Sequence, residues 1–150
     1  MTASVVSRVW QARNPEYRAV VRDAFEANKA MSLIGATLGV VEPGIVDIHL
    51  PVHEMLMSHV AGIVHGGTLG MIADSALGFA ALTLAEAGAV GFTAEYKINF
   101  LSPAMGQEVI AHAEVVKPGK RTTVARADVR AVNDGEERLV AILQGTLIPL

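Results

Sequence analysis

The feature that most constrains this chain is an apolar stretch built around a single charge. Residues 62–87 read GIVHGGTLGMIADSALGFAALTLAEA, and Asp74 is the one charged residue between Gly66 and Ala85. This composition predicts a helix that is apolar on every side, and such helices are normally buried on every side. An ionised carboxylate there is costly unless hydrogen bonds satisfy it or it takes part in chemistry. Asp74 is therefore the first candidate for a functional residue.

The same stretch is long enough to raise the question of a membrane span, which needs about 20 apolar residues. Against a span stand the carboxylate of Asp74 in its middle, the glycines at positions 66, 67, 70 and 78, and the absence of any Lys or Arg between Lys29 and Lys97. We therefore expect a buried helix and no membrane partner.

Length, charge and cysteine content exclude several other classes of protein. A chain of 150 residues fits one domain, and we expect residues 1–150 to form it, with an N-terminal extension and helix over residues 1–30. The net charge of −3 argues against nucleic-acid binding. The chain has no Cys, and its N-terminus has no continuous apolar segment of the secretory type, so we expect a cytoplasmic protein.

The order of predicted elements indicates an α+β domain. Asn14, Pro15 and Glu16 predict the start of an amphipathic helix that ends before Gly35. A hairpin, the central helix and four further strands follow, and Pro-Gly or Asp-Gly turns separate several of them. The predicted strands are residues 36–41, 45–50, 92–101, 107–116, 122–132 and 138–148. Successive strands joined by tight turns predict an antiparallel sheet with the long helix on its apolar face. Along residues 92–101 the alternation places Thr93 on the polar face, opposite Tyr96.

One face of the central helix is almost without side-chain bulk. Residues at helical spacing on this face, which we call the bare face, are Gly67, Gly70, Asp74, Gly78 and Ala81. The opposite positions are bulky and suited to packing on a sheet: Leu69, Ile72, Phe79 and Leu82. The bare face either lets another helix or a second subunit approach closely, or it forms a slot for an extended ligand. Both interpretations hold if the site lies at a subunit boundary.

The start of the same helix offers hydrogen-bond donors. The N–H groups of Gly66, Gly67 and Thr68 have no partner within a regular helix, and together with the helix dipole they can stabilise a developing oxyanion. Asp74 can then act as nucleophile or base, and His65 is either a base or a structural hydrogen-bonding group. This combination predicts acyl transfer, with no motif for a metal or a cofactor.

HGGTLGMIAD, the later NFLSPA segment and the Lys-Pro-Gly-Lys-Arg hairpin together resemble the HGG-motif acyl-CoA thioesterases of the hotdog superfamily, in particular the PaaI-like (phenylacetate-degradation) branch. The resemblance covers residues 31–148. It implies the hotdog fold, in which a curved antiparallel sheet wraps around the central helix. It also implies dimers whose sheets join, active sites at the dimer interface, and a homotetramer built as a dimer of dimers.

The resemblance also implies roles for individual residues. Asp74 matches the carboxylate that attacks the thioester or activates water, and Gly66 or Gly67 matches the oxyanion donor. Thr93 stands where related enzymes carry a Ser or Thr that positions the nucleophilic water. His59 stands where this branch often has Asn, so the polar contact near the thioester carbonyl is altered.

The leading hypothesis is hydrolysis of an acyl-CoA thioester to the free acid and CoA. Lys117, Lys120 and Arg121 bind the phosphates of CoA under this hypothesis, or they form an ordinary solvated turn. A hotdog hydratase ranks lower, because its pairing of His and carboxylate is not found. The non-enzymatic alternative is an acyl-CoA-binding or purely oligomeric module that uses the same slot without chemistry.

Overall fold

The structure is a computed structural model that describes residues 9–149. The first eight residues of the predicted N-terminal extension lie outside this range. The elements in chain order are α1 (Tyr17–Ala27), α2 (Lys29–Ile34), β1 (Thr37–Glu42), β2 (Ile45–Pro51), a short 3₁₀ turn (Glu54–Leu56), α3 (Gly66–Leu82), β3 (Gly91–Phe100), β4 (Glu108–Pro118), β5 (Thr123–Asn133) and β6 (Glu136–Pro149). All six predicted strands are present, each boundary within two residues of the predicted one.

The six strands form one antiparallel sheet in the order β1-β2-β4-β5-β6-β3. Helix α3 lies across one face of this sheet and contacts every strand from β2 to β6. The α+β prediction and the expected hotdog architecture are therefore confirmed. Because β3 pairs with β6 and not with β4, it forms one edge of the sheet and β1 forms the other. The free edge of β3 is important for the site.

The N-terminal helical region differs from the prediction of one helix ending before Gly35. The chain breaks at Asn28, whose side chain accepts hydrogen bonds from the N–H groups of Ala30 and Met31 at 3.1 and 3.3 Å. Asn28 therefore caps a second helix, and Gly35 ends that helix in the left-handed conformation with φ 73°. The buried stripe of α1 has the predicted helical spacing, and its Phe25 ring packs on Phe79 of α3 with centroids 5.6 Å apart.

The β1–β2 hairpin is confirmed at the predicted turn. Gly44 has φ 80°, the conformation that the third residue of a type II turn requires, and Pro43 precedes it. The Gly44 N–H donates to the buried Thr83 hydroxyl at 2.6 Å, and the Gly44 carbonyl accepts from the N–H of Val115 at 2.8 Å. These contacts tie the turn to the C-terminal end of α3 and to the end of β4.

Small side chains let α3 approach the sheet closely. Leu69, Ile72 and Leu77 of α3 are almost fully buried. The sheet offers them buried alanines, which are Ala111, Ala113, Ala125, Ala127 and Ala131. The expectation that α3 is buried on every side is wrong for the isolated chain, because Asp74 and Gly78 are only half-buried and Met71 is 40% exposed. The surface left open is centred on the bare face.

A bulge in β3 changes which residues face the helix. The register against β6 shifts between Thr93 and Glu95, so one extra residue interrupts the alternation of faces. Thr93 consequently points to α3, on the same face as Tyr96, and its predicted place on the opposite, polar face is wrong. Glu95 and Lys97 lie on the outer face, where they line a shallow surface depression together with Arg126.

Candidate active site

The start of α3 is fixed by His65. The His65 Nδ1 atom accepts a hydrogen bond from the Gly67 N–H at 2.9 Å, and the His65 carbonyl accepts from the N–H of Thr68 at 2.9 Å. His65 itself donates its backbone N–H to Leu56 at 2.8 Å. The His65 side chain thus caps the helix, which is the structural hydrogen-bonding role that the sequence left open beside that of a base. Since Nδ1 accepts, the neutral ring carries its proton on Nε2.

This cap reduces the predicted set of oxyanion donors. The N–H groups of Gly67 and Thr68 are both occupied within the chain, so their prediction as free donors is wrong. The Gly66 N–H has no partner within residues 9–149. A Cβ on Gly66 would stand 2.9 Å from Cζ of Phe100, so the ring of Phe100 lies directly against this residue. Gly66 is the donor that remains.

Asp74 lies eight residues further along α3, and Thr93 holds it in place. The Thr93 hydroxyl donates a hydrogen bond to one carboxylate oxygen at 2.6 Å. The second oxygen has no hydrogen-bond partner in the described part of the chain, and the residue is half-buried. The carboxylate is thus oriented by one oxygen and open to a ligand or a water at the other. The bulge in β3 is what brings Thr93 to this position.

Asp74 and Gly66 are too far apart to act on one group within a single chain. With a rise of 1.5 Å per residue, the eight residues between them span about 12 Å along the helix axis. A thioester carbonyl needs its oxyanion donor at hydrogen-bond distance, close to the attacking group. A single chain therefore separates these two candidate groups into two half-sites, one around Gly66 at the start of α3 and one around Asp74 near its middle.

His59 lies outside this arrangement in the isolated chain. Its side chain is exposed and makes no hydrogen bond or ion pair with any residue between 9 and 149. Its loop is shaped locally by Ser58, whose hydroxyl accepts from the N–H of Val60 at 3.1 Å. The structure thus does not bring His59 together with Asp74 and Thr93.

The basic hairpin between β4 and β5 lies at the Thr93 end of the sheet. Thr123, just after this hairpin, pairs with Leu147, and Leu147 pairs with Thr93. The distance from Thr93 to Thr123 is therefore two strand spacings, or about 10 Å. The hairpin side chains, Lys117, Lys120 and Arg121, are exposed and form no ion pair within the described residues. Three uncompensated cations therefore lie near the Asp74 half-site.

Tyr96 lines the bare face and Phe100 lies at the start of α3, and neither was predicted as a site residue. The Tyr96 hydroxyl lies 3.3 Å from the position that a Cβ on Gly70 would occupy, and Phe100 lies against Gly66. Both side chains remain strongly exposed, at 44% and 56%. Their apolar alternation along β3 was visible in the sequence, but the bulge that places them beside Thr93 was not.

The titratable groups with shifted pKa values lie away from this site. The Asp47 carboxylate, hydrogen-bonded to His112 at 2.5 Å, raises the pKa of His112, and Glu114 adds to this while partial burial opposes it. This cluster is on the sheet face opposite α3. Burial raises the pKa of Tyr17. Within residues 9–149 no group of three or more His, Cys, Asp or Glu side chains is arranged to hold a metal ion.

The architecture matches solved thioesterase structures. A thioesterase family protein from Silicibacter pomeroyi superposes with a TM-score of 0.87 and 41% identity, covering 89% of this chain and 98% of that one. The PaaI protein of the phenylacetic acid degradation operon of E. coli superposes with a TM-score of 0.79 over 90% of this chain and 94% of that one, and its 21% identity shows the shared fold. The described chain is a hotdog domain of the thioesterase type.

The sequence comparisons then identify the family. Residues 61–137 match the model of the thioesterase superfamily. Human acyl-coenzyme A thioesterase 13 is 30% identical over 126 residues, which are 83% of this chain and 87% of that protein. The chain therefore belongs to the thioesterase superfamily and is a thioester hydrolase. No helix in the described range is both long and apolar enough to cross a lipid bilayer.

Proposed function

We propose that this protein hydrolyses acyl-CoA thioesters at a site shared by two copies of the chain, with Asp74 as the reacting carboxylate. The observation that carries the proposal is the state of Asp74. One of its oxygens is held by Thr93 at 2.6 Å and the other is open toward the bare face. The name of human acyl-coenzyme A thioesterase 13 supports acyl-CoA as the substrate class.

The free edge of β3 supports a dimer that joins the two half-sites. Asp74 lies beside Thr93 near the start of β3. Gly66 lies beside Phe100 at the other end of the same strand. If β3 pairs antiparallel with β3 of a second copy about a twofold axis, the Thr93 end of one strand lies beside the Phe100 end of the other. Asp74 of one copy then lies near Gly66 of the second copy. The exposed aromatic residues of this edge strand favour such pairing.

In this site the two half-sites have separate tasks. The Gly66 N–H of one copy donates to the thioester oxygen and stabilises the oxyanion that forms on attack. The open oxygen of Asp74 from the other copy removes a proton from water while the water oxygen attacks the thioester carbon. The tetrahedral intermediate collapses, the carbon–sulfur bond breaks, and the thiolate of CoA leaves with the proton that Asp74 took from water, which returns Asp74 to its ionised form. Thr93 keeps the carboxylate oriented throughout.

A nucleophilic route uses the same residues. Asp74 attacks the carbon directly, a mixed anhydride forms as CoA leaves, and water then hydrolyses the anhydride. Single turnover in ¹⁸O-labelled water distinguishes the routes. In the nucleophilic route, water that attacks the Asp74 carbonyl of the anhydride leaves its label in the Asp74 carboxylate, and the product acid leaves with an unlabelled oxygen from Asp74. Base catalysis puts the label in the product acid alone.

Lys117, Lys120 and Arg121 complete the proposed site as the phosphate-binding group. They are uncompensated and lie at the same end of the sheet as Thr93, so they can hold the charged end of CoA while the thioester reaches Asp74. His65 takes the role of helix cap in this proposal. His59 of either copy remains a proposed polar neighbour of the thioester carbonyl, carried by the resemblance.

The proposal is tested by thiol release over a panel of acyl-CoA substrates. Asp74→Asn should lower kcat by about 10² to 10⁴, the range for loss of a general base. Asp128→Asn is the matched control, because Asp128 is a half-buried carboxylate on the opposite sheet face that pairs with Arg130 at 3.3 Å. Full turnover by Asp74→Asn on the best substrate would refute the assignment.

A further inference from the structure

Tyr96 occupies the bare face at the turn that precedes Asp74. Its hydroxyl lies 3.3 Å from where a Cβ of Gly70 would be, and Gly70 is four residues before Asp74, about 6 Å along the helix. The hydroxyl has no hydrogen-bond partner within residues 9–149. The hydroxyl end of Tyr96 reaches into the space that the missing side chain of Gly70 leaves, so these two residues bound the free volume on this side of Asp74.

The other side of Asp74 faces the basic hairpin. The C-terminal end of α3 is tied to Gly44 through Thr83, at 2.6 Å, and Gly44 is tied to Val115 near the end of β4. Lys117 follows two residues later on that strand. A substrate whose phosphates are held by this hairpin approaches Asp74 along the Gly78 side. Its acyl group then continues past Asp74 toward Gly70 and meets Tyr96.

We propose that Tyr96, packed over Gly70, is the residue that limits the size of the acyl group, and that the substrates are compact acyl-CoAs rather than long-chain ones. This inference rests on the proposed function, because it uses the direction in which the substrate lies. It assigns specificity to Tyr96 and leaves the chemistry to Asp74. An acyl chain longer than the space between Asp74 and the ring must displace Tyr96.

The test is the profile of kcat/KM over acetyl-, butyryl-, octanoyl- and palmitoyl-CoA. Tyr96→Leu and Tyr96→Ala should raise kcat/KM for octanoyl-CoA relative to butyryl-CoA by about tenfold or more, since each methylene admitted to an apolar pocket contributes a factor of about ten or more. Gly70→Ala adds a methyl group against the Tyr96 hydroxyl and should shift the profile toward acetyl-CoA. Tyr96→Phe removes only the hydroxyl that reaches Gly70 and should shift the profile in the same direction as Tyr96→Leu, but by less.

Lys97→Ala is the control on the same strand, because Lys97 points to the outer face and bonds Asn99 at 3.0 Å. Its profile should match that of the unmodified protein. Thermal unfolding and size-exclusion chromatography show whether each variant is folded and assembled, and Tyr96→Leu carries the test if Tyr96→Ala does not fold. Unchanged profiles for Tyr96→Leu and Gly70→Ala would overturn this inference. If Asp74→Asn is inactive in the same experiments, the proposed function stands even though the inference on Tyr96 fails.

Discussion

Replacing Gly66 by proline removes the one free donor at the start of α3. Gly66 is the first residue of the helix, where proline is favoured because its fixed φ suits the helix and the missing N–H is unpaired in any case. The preceding residue, His65, has φ −62° and ψ 134°, an extended conformation that a following proline prefers. Gly66→Pro therefore deletes a donor with little cost to the helix backbone.

The structure also provides the matched control for this change. Any Cβ at position 66 approaches Cζ of Phe100, at 2.9 Å, and the exposed ring of Phe100 must turn aside. Gly66→Ala makes the same contact but keeps the N–H. Comparing the proline with the alanine variant, and not with the unmodified protein, isolates the hydrogen bond from the steric effect.

Loss of one oxyanion donor lowers kcat by about 10² to 10³, equivalent to ~3 kcal/mol of transition-state stabilisation. We expect that factor between Gly66→Ala and Gly66→Pro in steady-state thiol release, with a smaller change in KM. Thermal unfolding should place the two variants within a few degrees of each other. If Gly66→Pro turns over within about threefold of Gly66→Ala, the Gly66 N–H does not stabilise the oxyanion and this reasoning is refuted.

Two further predictions concern Thr93 and His112. Thr93→Val keeps the shape of the side chain but removes the hydrogen-bond donor to Asp74. Because a hydrogen bond to a charged group contributes about 1.5–3 kcal/mol, kcat should fall by about ten- to a hundredfold, and Thr93→Ser should retain most of the activity. An active Thr93→Val would show that the contact is structural only. The raised pKa of His112 means that its bond with Asp47 stabilises the fold fully below the ordinary value of 6.5, and this contribution is lost as pH rises through the raised folded pKa. The melting temperature should accordingly decline over that window, and Asp47→Asn should reduce the decline; an identical pH profile for Asp47→Asn would contradict the assignment.

The parts of the fold that local sequence determines could be read from the sequence. The Pro43-Gly44 turn, the helix end at Gly35 and the start of α3 each depend on residues within a few positions, and the structure has them where the sequence places them. The cap at Asn28 was not predicted. The apolar pattern continues on both sides of Asn28 and led to the prediction of a single helix, which the structure divides in two.

The errors arise where a contact depends on distant residues. The bulge near Thr93 is a property of the pairing between β3 and β6, so alternation along β3 alone put Thr93 on the wrong face. Gly67 and Thr68 form a donor cluster by sequence position, yet the side chain and carbonyl of His65 occupy both of their N–H groups. The separation of Gly66 and Asp74 along α3 was readable from the sequence, and it is the observation on which the proposal of a site shared between two copies rests.

The most direct test of a shared site is activity recovered by mixing two inactive variants. Asp74→Asn and Gly66→Pro chains, unfolded and refolded together in equal amounts, form mixed dimers in which one of the two sites has an intact Asp74 from one copy and an intact Gly66 from the other. Random pairing makes half of the dimers mixed, so the mixture should recover about a quarter of the activity of the unmodified protein. Each variant refolded alone should stay near its own low value. A mixture no more active than the mean of the two separate variants would contradict a site shared between copies.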